Sequence, residues 1–275
     1  MTFATHRKNV LALLLASAAL SPGTSAANET AQTIGEAYDL KSDKLLYRET
    51  HCVDGDSSKR EVIYQSGDGA LIARKALDYS SGPTTPSFVQ DNLYSREKIE
   101  VSLKQGKVTM AVFDEGNPEP KKSTSTEPDG RVPVVIDAGF DEFVRENWDS
   151  LVAGETRSFM FPFAARSSLM ELRIRSSACS YETTTDQCFR LELSNWFFRM
   201  VADPIELGYD SGPRRLTRYR GLSNIGDENG NGLVVDIRYG YQDIPELACR
   251  VKQQALTEGL DKPDSVLLSG VGGSR

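Results

Sequence analysis

The sequence predicts a mainly β protein: a large curved antiparallel sheet, a half-barrel, with one amphipathic helix packed on its concave face. Three observations predict it. Apolar and polar residues alternate through much of the chain, as in strands with one face buried; Met170, Leu172 and Ile174 alternate with Glu171, Arg173 and Arg175. Turn residues separate these runs at short intervals, among them Gly67-Asp68-Gly69, Gln105-Gly106 and Ser211-Gly212-Pro213. One stretch, Gly139–Glu155, breaks the alternation. There Phe140, Phe143, Val144, Trp148, Leu151 and Val152 recur at the spacings of one helical face, and Asp141, Glu142, Arg145, Glu146 and Asp149 fall mostly opposite.

Residues 1–26 precede the fold. Arg7 and Lys8 form a cationic start, Val10–Leu20 an apolar run, and Ser21-Pro22-Gly23 a break before the small residues Thr24–Ala27. This is the pattern of a secretory signal peptide, too short for a good transmembrane span. It predicts an exported, soluble, periplasmic protein without stable membrane insertion, with residues 27–275 as a single domain. No cysteine lies near the cleavage site to take a lipid anchor. Losing Arg7 and Lys8 moves the formal net charge from −7 to −9, a balance that repels nucleic acid and anionic membrane surfaces.

In chain order, Ala37–Cys52 reads as a strand and Asp54–Lys59 as a turn. Glu61–Gln65 and Ala70–Tyr79 form a hairpin, and Ser80–Ser87 a proline-containing loop. Lys98–Leu103 and Val108–Phe113 form a second hairpin. Asp114–Gly130 is polar and reads as a mobile loop. Arg131–Asp137 is an apolar strand leading into the helix, whose first turn holds Asp141 and Glu142, where the macrodipole favours acids. Gly154 supplies the stop. Phe159, Phe161 and Phe163 share a face of the next strand, and Met170, Leu172 and Ile174 a face of the one after. Cys188–Val201 reads as one long strand that loses its alternation at Asn195–Phe198. Glu206–Tyr209 and Arg214–Arg220 form a hairpin, Leu233–Tyr239 closes the sheet, Ile244–Leu260 has helical character, and the glycine-rich end is loose.

The four cysteines suit an oxidising compartment. Cys179 and Cys188 flank the polar stretch Ser180–Gln187, where a hairpin centred near Thr183-Thr184 allows a cross-strand bridge. The other pair, Cys52 with Cys249, would join the first strand to the C-terminal segment. The alternative is that one or both pairs stay reduced.

YRETHC at 47–52, GALIARKALDY at 69–79, GFDEFVRENWDSL at 139–151 and RRLTRYRGLSNI at 214–225 sit in a meander of strands interrupted by one helix, behind a signal peptide. This order resembles the LolA/LolB-like half-barrel superfamily over residues 37–240, and the quoted segments look like exported bacterial proteins associated with that fold. The resemblance implies a curved sheet around a hydrophobic cavity lidded by helices, and lipoprotein carriage across the periplasm. LolA and LolB are shorter, and LolB carries a lipid anchor for which this chain has no cysteine. No functional residue of that family maps onto a position here.

Few residues offer chemistry. His51 is the single histidine outside the signal peptide, which removes two-histidine metal sites, and it reads as structural. None of the 39 acids is marked as one of a catalytic pair. Asp227–Gly232 matches the first half of a calcium-binding loop, but position twelve is Arg238, so Asn231-Gly232 reads as hairpin chemistry. No catalytic residue, metal or cofactor is predicted. Arg214, Arg215, Arg218 and Arg220 either recognise an anionic group or pair with acids on adjacent strands.

The aromatic set Phe140, Phe143, Trp148, Phe159, Phe161, Phe163, Trp196, Phe197 and Phe198 either forms the core or lines a pocket between helix and sheet able to take acyl chains. The sequence reading is a binding or carrier protein for a hydrophobic small molecule or a lipidated protein, and it leaves enzyme activity undecided. Its ligand contacts would be Phe140, Phe143, Val144, Trp148, Phe161, Trp196 and Phe198, with Arg218 at the rim. The alternatives are an envelope interaction protein with a filled core and a carboxylate-based hydrolase.

Overall fold

A computed structural model describes residues 31–53, 58–195, 203–227 and 229–243. Among these residues, fourteen strands form one antiparallel sheet. The first run is β1 (Ala31–Asp39), β2 (Leu45–Val53), β3 (Lys59–Ser66), β4 (Leu71–Asp78), β5 (Ser87–Asn92), β6 (Glu97–Lys104), β7 (Lys107–Asp114) and β8 (Lys122–Thr126). Helices α1 (Gly139–Glu146) and α2 (Trp148–Val152) follow. The second run is β9 (Arg157–Phe163), β10 (Ser168–Ser177), β11 (Asp186–Leu193), β12 (Ile205–Asp210), β13 (Arg215–Gly226) and β14 (Gly232–Asp243).

The spatial order is β8 through β1, then β14 back to β9. Two meanders therefore spread outward from the central β1–β14 pair, and hairpin-type connections suffice within each. The chain crosses from one outer edge to the other through the segment that carries the helices. Gln105 and Gly106, at φ 51° and 77°, make the tight two-residue turn between β6 and β7. At the β13–β14 turn, Asp227 accepts hydrogen bonds from the backbone of Asn229 and Asn231 and from the Asn231 side chain. The half-matching calcium loop is thus a hairpin turn.

The sheet is open but strongly curved. Its edge strands β8 and β9 do not pair with each other. Val101, Val108, Met110 and Val112 near one end nevertheless pack with Ala164 and Leu169 near the other. The seam is spanned by Pro133–Ile136. Val135 N–H donates to Met160 O and Met160 N–H to Pro133 O, at 2.9 and 2.8 Å, and Ile136 N–H donates to Thr84 O at 3.0 Å.

Several elements differ from the sequence reading. Ala37–Cys52 is two strands, split by a turn in which Asp39 accepts from the backbone of Lys41 and Ser42. The predicted loop Asp114–Gly130 contains β8, whose Ser/Thr run pairs with β7 through backbone groups that carry no periodic signal. Strand β5 lies in a stretch assigned to no element. Arg131–Asp137 is not a strand; it makes one parallel bridge, Val134 with Met160, since Pro133 has no N–H to extend the ladder. Strand β11 stops at Leu193. Trp196, Phe197, Phe198, the signal peptide and Ile244–Leu260 lie outside the described residues.

The helix is broken at Asn147, which sits at φ −102° and ψ 11° and whose side chain donates to Phe143 O at 2.9 Å. The restart turns Leu151 inward, and Val152, expected on the apolar face, is 46 % exposed. No helix among the described residues is long and apolar enough to cross a membrane.

Candidate functional site

The register separates an inner face, which carries the helices, from an outer one. Inward residues are the odd-numbered ones of β1, β2, β6, β9, β11 and β14 and the even-numbered ones of β7 and β10. Three regions of this surface differ in character.

Under the helices the inner face is aromatic. Phe143, Val144, Trp148 and Leu151 are buried against Phe159, Leu172, Ile174, Phe189, Leu191, Leu207 and Tyr209. The ring of Phe143 lies 4.9 Å from that of Phe159, and the ring of Trp148 lies 5.4 Å from Phe189 and 5.9 Å from Tyr209. These are tilted and edge-to-face contacts of the kind worth about 0.5–1.5 kcal/mol each beyond area burial. Phe143, Val144 and Trp148, predicted to line a pocket, are therefore core. Phe140 and Phe161 differ: with Phe163 and Leu193 they are only partly buried against this cluster, toward the β9 edge.

Away from the helices, the inner faces of β1–β5, β13 and β14 hold buried polar groups. Lys75 is 2 % exposed and Glu49 4 %. Lys75 Nζ donates to both oxygens of Asp137 at 2.8 and 2.9 Å and lies 5.1 Å from the Phe88 ring centre. Asp137 stands just before α1 at φ 41°, so this pair pins the helix entrance to β4. Glu49 Oε1 is 3.0 Å from His51 Nε2, which agrees with a structural role for that histidine. Around these ions stand Tyr47, Tyr64, Tyr219 and Tyr239, each raised above the usual phenol value, first by burial and then by the charge of Glu49.

Sequence reasoning missed this cluster, although a signal was present. Lys75 alternates in phase with Ala73 and Leu77, and Glu49 with Tyr47, which puts both charges on the buried face.

Where α1 turns its polar face toward β3 and β4, Arg145 donates to Asp141 and Glu142 at 2.5 Å. Across from them the Arg60 guanidinium lies 4.3 Å over the Tyr79 ring and 3.9 Å from Glu142 Oε1. Burial raises Asp141 above the usual carboxylate value, with Arg145 opposing. Burial likewise pushes Tyr79 up to about 12.

The predicted rim arginine is on the other side of the sheet. Arg218 faces outward and makes a two-pronged contact with Asp236, at 2.7 and 2.5 Å. Asp236 also lies 3.8 Å from Arg220 and 3.4 Å from Arg238. Burial pushes Asp236 upward, but the hydrogen bonds and charge of Arg218, with Arg220 and Arg238, hold it below the usual carboxylate range. Arg214 pairs with Asp149 instead, and Arg215 lies over Tyr241. Pairing with acids thus describes Arg214, Arg218 and Arg220, while Arg215 stacks on an aromatic ring.

Cys179 and Cys188 form a disulfide with Cα atoms 5.2 Å apart. Its loop folds over this outer face, and Tyr181 Oη donates to Asp186 at 2.7 Å while its ring lies 4.2 Å from Arg218. Position 208 must be glycine for this: a Cβ there would stand 1.8 Å from Tyr181 Oη. Cys52 is buried and disulfide-bonded, and its expected partner Cys249 lies outside the described residues.

No family model matches the chain, and no curated protein matches it. Among solved structures it is similar to a beta-barrel-like protein of domain of unknown function DUF1849 from Brucella abortus. The identity is 8 %, with 78 % of this chain and 96 % of that one covered, at a TM-score of 0.44.

Proposed function

We propose that the protein is an exported binding or carrier protein of the periplasm, with a half-barrel of the LolA/LolB-like kind. Its ligand would be apolar, a lipid or the acyl chain of a lipidated partner, taken up at the β9 end of the inner face. The observation that carries this reading is the band of Phe140, Phe161, Phe163 and Leu193, packed on the aromatic core but only partly buried. An acyl chain laid along this band would complete its burial, at roughly 25 cal/mol per Å² of apolar surface removed from water. Phe143, Val144 and Trp148 then form the floor beneath the ligand. Export is supported by the leader-like N-terminus and by the Cys179–Cys188 bridge.

The test is uptake of a fluorescent fatty acid by protein purified after export. Phe161→Asp and Phe163→Asp, at partly exposed positions, are expected to abolish uptake while leaving the unfolding transition in place. No uptake by the parent protein, or equal uptake by both variants, would refute the reading.

A second reading, an envelope interaction protein acting through its outer face, draws on one other observation. Leu40, Leu222 and Val234 are 37 %, 56 % and 43 % exposed. They are neighbours in the sheet, since Leu222 pairs with Val234 and Leu40 N–H donates to Val234 O. A carboxylate hydrolase draws no support, because the buried acids Glu49 and Asp236 are engaged with His51 and Arg218, and the half-buried Asp137 with Lys75.

A further inference from the structure

We propose that residues 244–260 fold back as an amphipathic helix over the outer face of β2 and β3, anchored by a Cys52–Cys249 bridge. The centre of that face is then a docking surface for the chain's own C-terminal segment. The register puts Thr50 and Cys52 of β2 and Ile63 of β3 on the outer face, since Ile63 pairs with Thr50 and the inward Val62 with His51. An outward side chain on a half-solvated sheet is ordinarily open to water. These three are nevertheless 2 %, 2 % and 0 % exposed, and none belongs to the apolar clusters of the core. The cover is local. On the same face Ala76 of β4 and Val89 of β5 are exposed. Thr50, Cys52, Glu61 and Arg74, side by side on the patch, all have bonding or electrostatic partners.

Covalent chemistry, reach and sequence name the occupant. Cys52 is disulfide-bonded, Cys179 and Cys188 are bonded to each other, and the chain has four cysteines, which leaves Cys249. Closing the bridge takes two electrons and two protons from the two thiols, which a disulfide-bearing oxidant of the export compartment accepts by exchange. The reach is sufficient. Strand β14 ends at Asp243, opposite Ala31 of β1, and Thr33 of β1 pairs with His51. The end of β14 therefore lies about two strand spacings, roughly 10 Å, from Cys52. The chain from Asp243 to Cys249 covers about 9 Å as helix and about 20 Å extended. Pro245 and Glu246 suit a first helical turn and Gly259 a stop, and Ala248, Cys249, Ala255 and Leu256 recur at the spacing of one helical face. Lys252 falls within that face, and Glu61, the cross-strand neighbour of Cys52, carries the opposite charge. The bridge would tie the chain leaving β14 to β2 across the central β1, and so join the two meanders.

This surface is independent of the apolar band at β9, and the test uses the full chain purified after export. Complete digestion without reductant is expected to yield a fragment in which the Cys52 and Cys249 peptides are joined. In the native protein, trypsin is expected to cut slowly after Arg250 and Lys252. Replacing both cysteines, Cys52→Ser with Cys249→Ser, should speed these cuts by about tenfold or more, the loss of a protected segment. Leu256→Asp keeps the bridge and is expected to speed the same cuts. It tests the apolar face apart from the bridge, and it still decides the matter if the serine variant does not fold. A free Cys249 thiol, a bridge to a second copy of the chain, or cutting at the parent's rate in Leu256→Asp would each overturn the proposal.

Discussion

Strands β9–β12 and strands β1–β4 carry similar alternating patterns, yet their inner faces are completed in different ways. The first set is covered by the helices, and rings meet rings: Trp148 on Phe189 and Tyr209, Phe143 on Phe159. The second set meets only the entrance and polar face of α1, and it holds Lys75, Glu49 and a group of tyrosines. The difference follows from size. Helices α1 and α2 together span thirteen positions, Gly139–Leu151, from first to last buried residue, and their apolar stripe covers only a few strands of a fourteen-stranded sheet. The remaining interior must satisfy polar groups among its own side chains.

The comparison can be broken at its strongest point on each side. Trp148→Ala is expected to lower unfolding free energy by about 3–5 kcal/mol, the usual cost of emptying a large aromatic site. On the polar side, Lys75→Met is expected to cost a similar amount, about 3–5 kcal/mol, because Asp137 is left charged and unpaired. The two should respond differently to a second change. Adding Asp137→Asn to Lys75→Met should recover most of the loss, whereas no polar substitution near Trp148 will do so. Denaturant titration of the four proteins checks this. Equal losses in the single and double Lys75 variants would show that the ion pair is not what holds that half.

The joint between the halves is the entrance to α1. A Cβ at Gly139 would stand 2.3 Å from Thr84 O and 2.7 Å from Pro86, and backbone cannot yield as a side chain does. Gly139→Ala should cost about 1–3 kcal/mol, as overpacking generally does. An unfolding midpoint equal to that of the parent would mean that helix and loop 82–86 are not fixed to each other.

The smallest expected effect distinguishes the two sides of the sheet by pH. Asp141, inside, has a raised folded pKa, so its contribution is greatest in acid and is lost as pH rises through that value. Asp236, outside, has a lowered folded pKa; its contribution is full above the ordinary value of 3.8 and is lost as pH falls through the folded one. The stability advantage of the parent over Asp141→Asn should therefore shrink with rising pH, and that over Asp236→Asn should grow. Parallel slopes would show that the two carboxylates share one environment.

Much of the fold was legible because it is local. Alternation in β9 and β10, the glycine-bearing turns and the apolar spacing of Phe143, Trp148 and Leu151 require only near neighbours to be read. Strand β8 was not legible, since Lys122–Thr126 pairs through its backbone and its side chains carry no pattern. The break at Asn147 was hidden for a related reason: the apolar spacing continues across it, and only the asparagine's bond to Phe143 O marks the restart.

The sequence by itself determined the fold class, the existence and apolar face of the helix and the hairpin geometry that allows the Cys179–Cys188 bridge. Each of these depends on periodicity or on spacings of a few residues. Only the tertiary structure decided which aromatic rings are buried and which are partly exposed, that Arg218 lies on the outer face of the sheet, and that Arg60 reaches both Tyr79 and Glu142. Those facts depend on the curvature that brings β3, β4 and α1 together across about 60–80 residues of chain. Curvature is the sum of small twists along every strand, and no single residue encodes it.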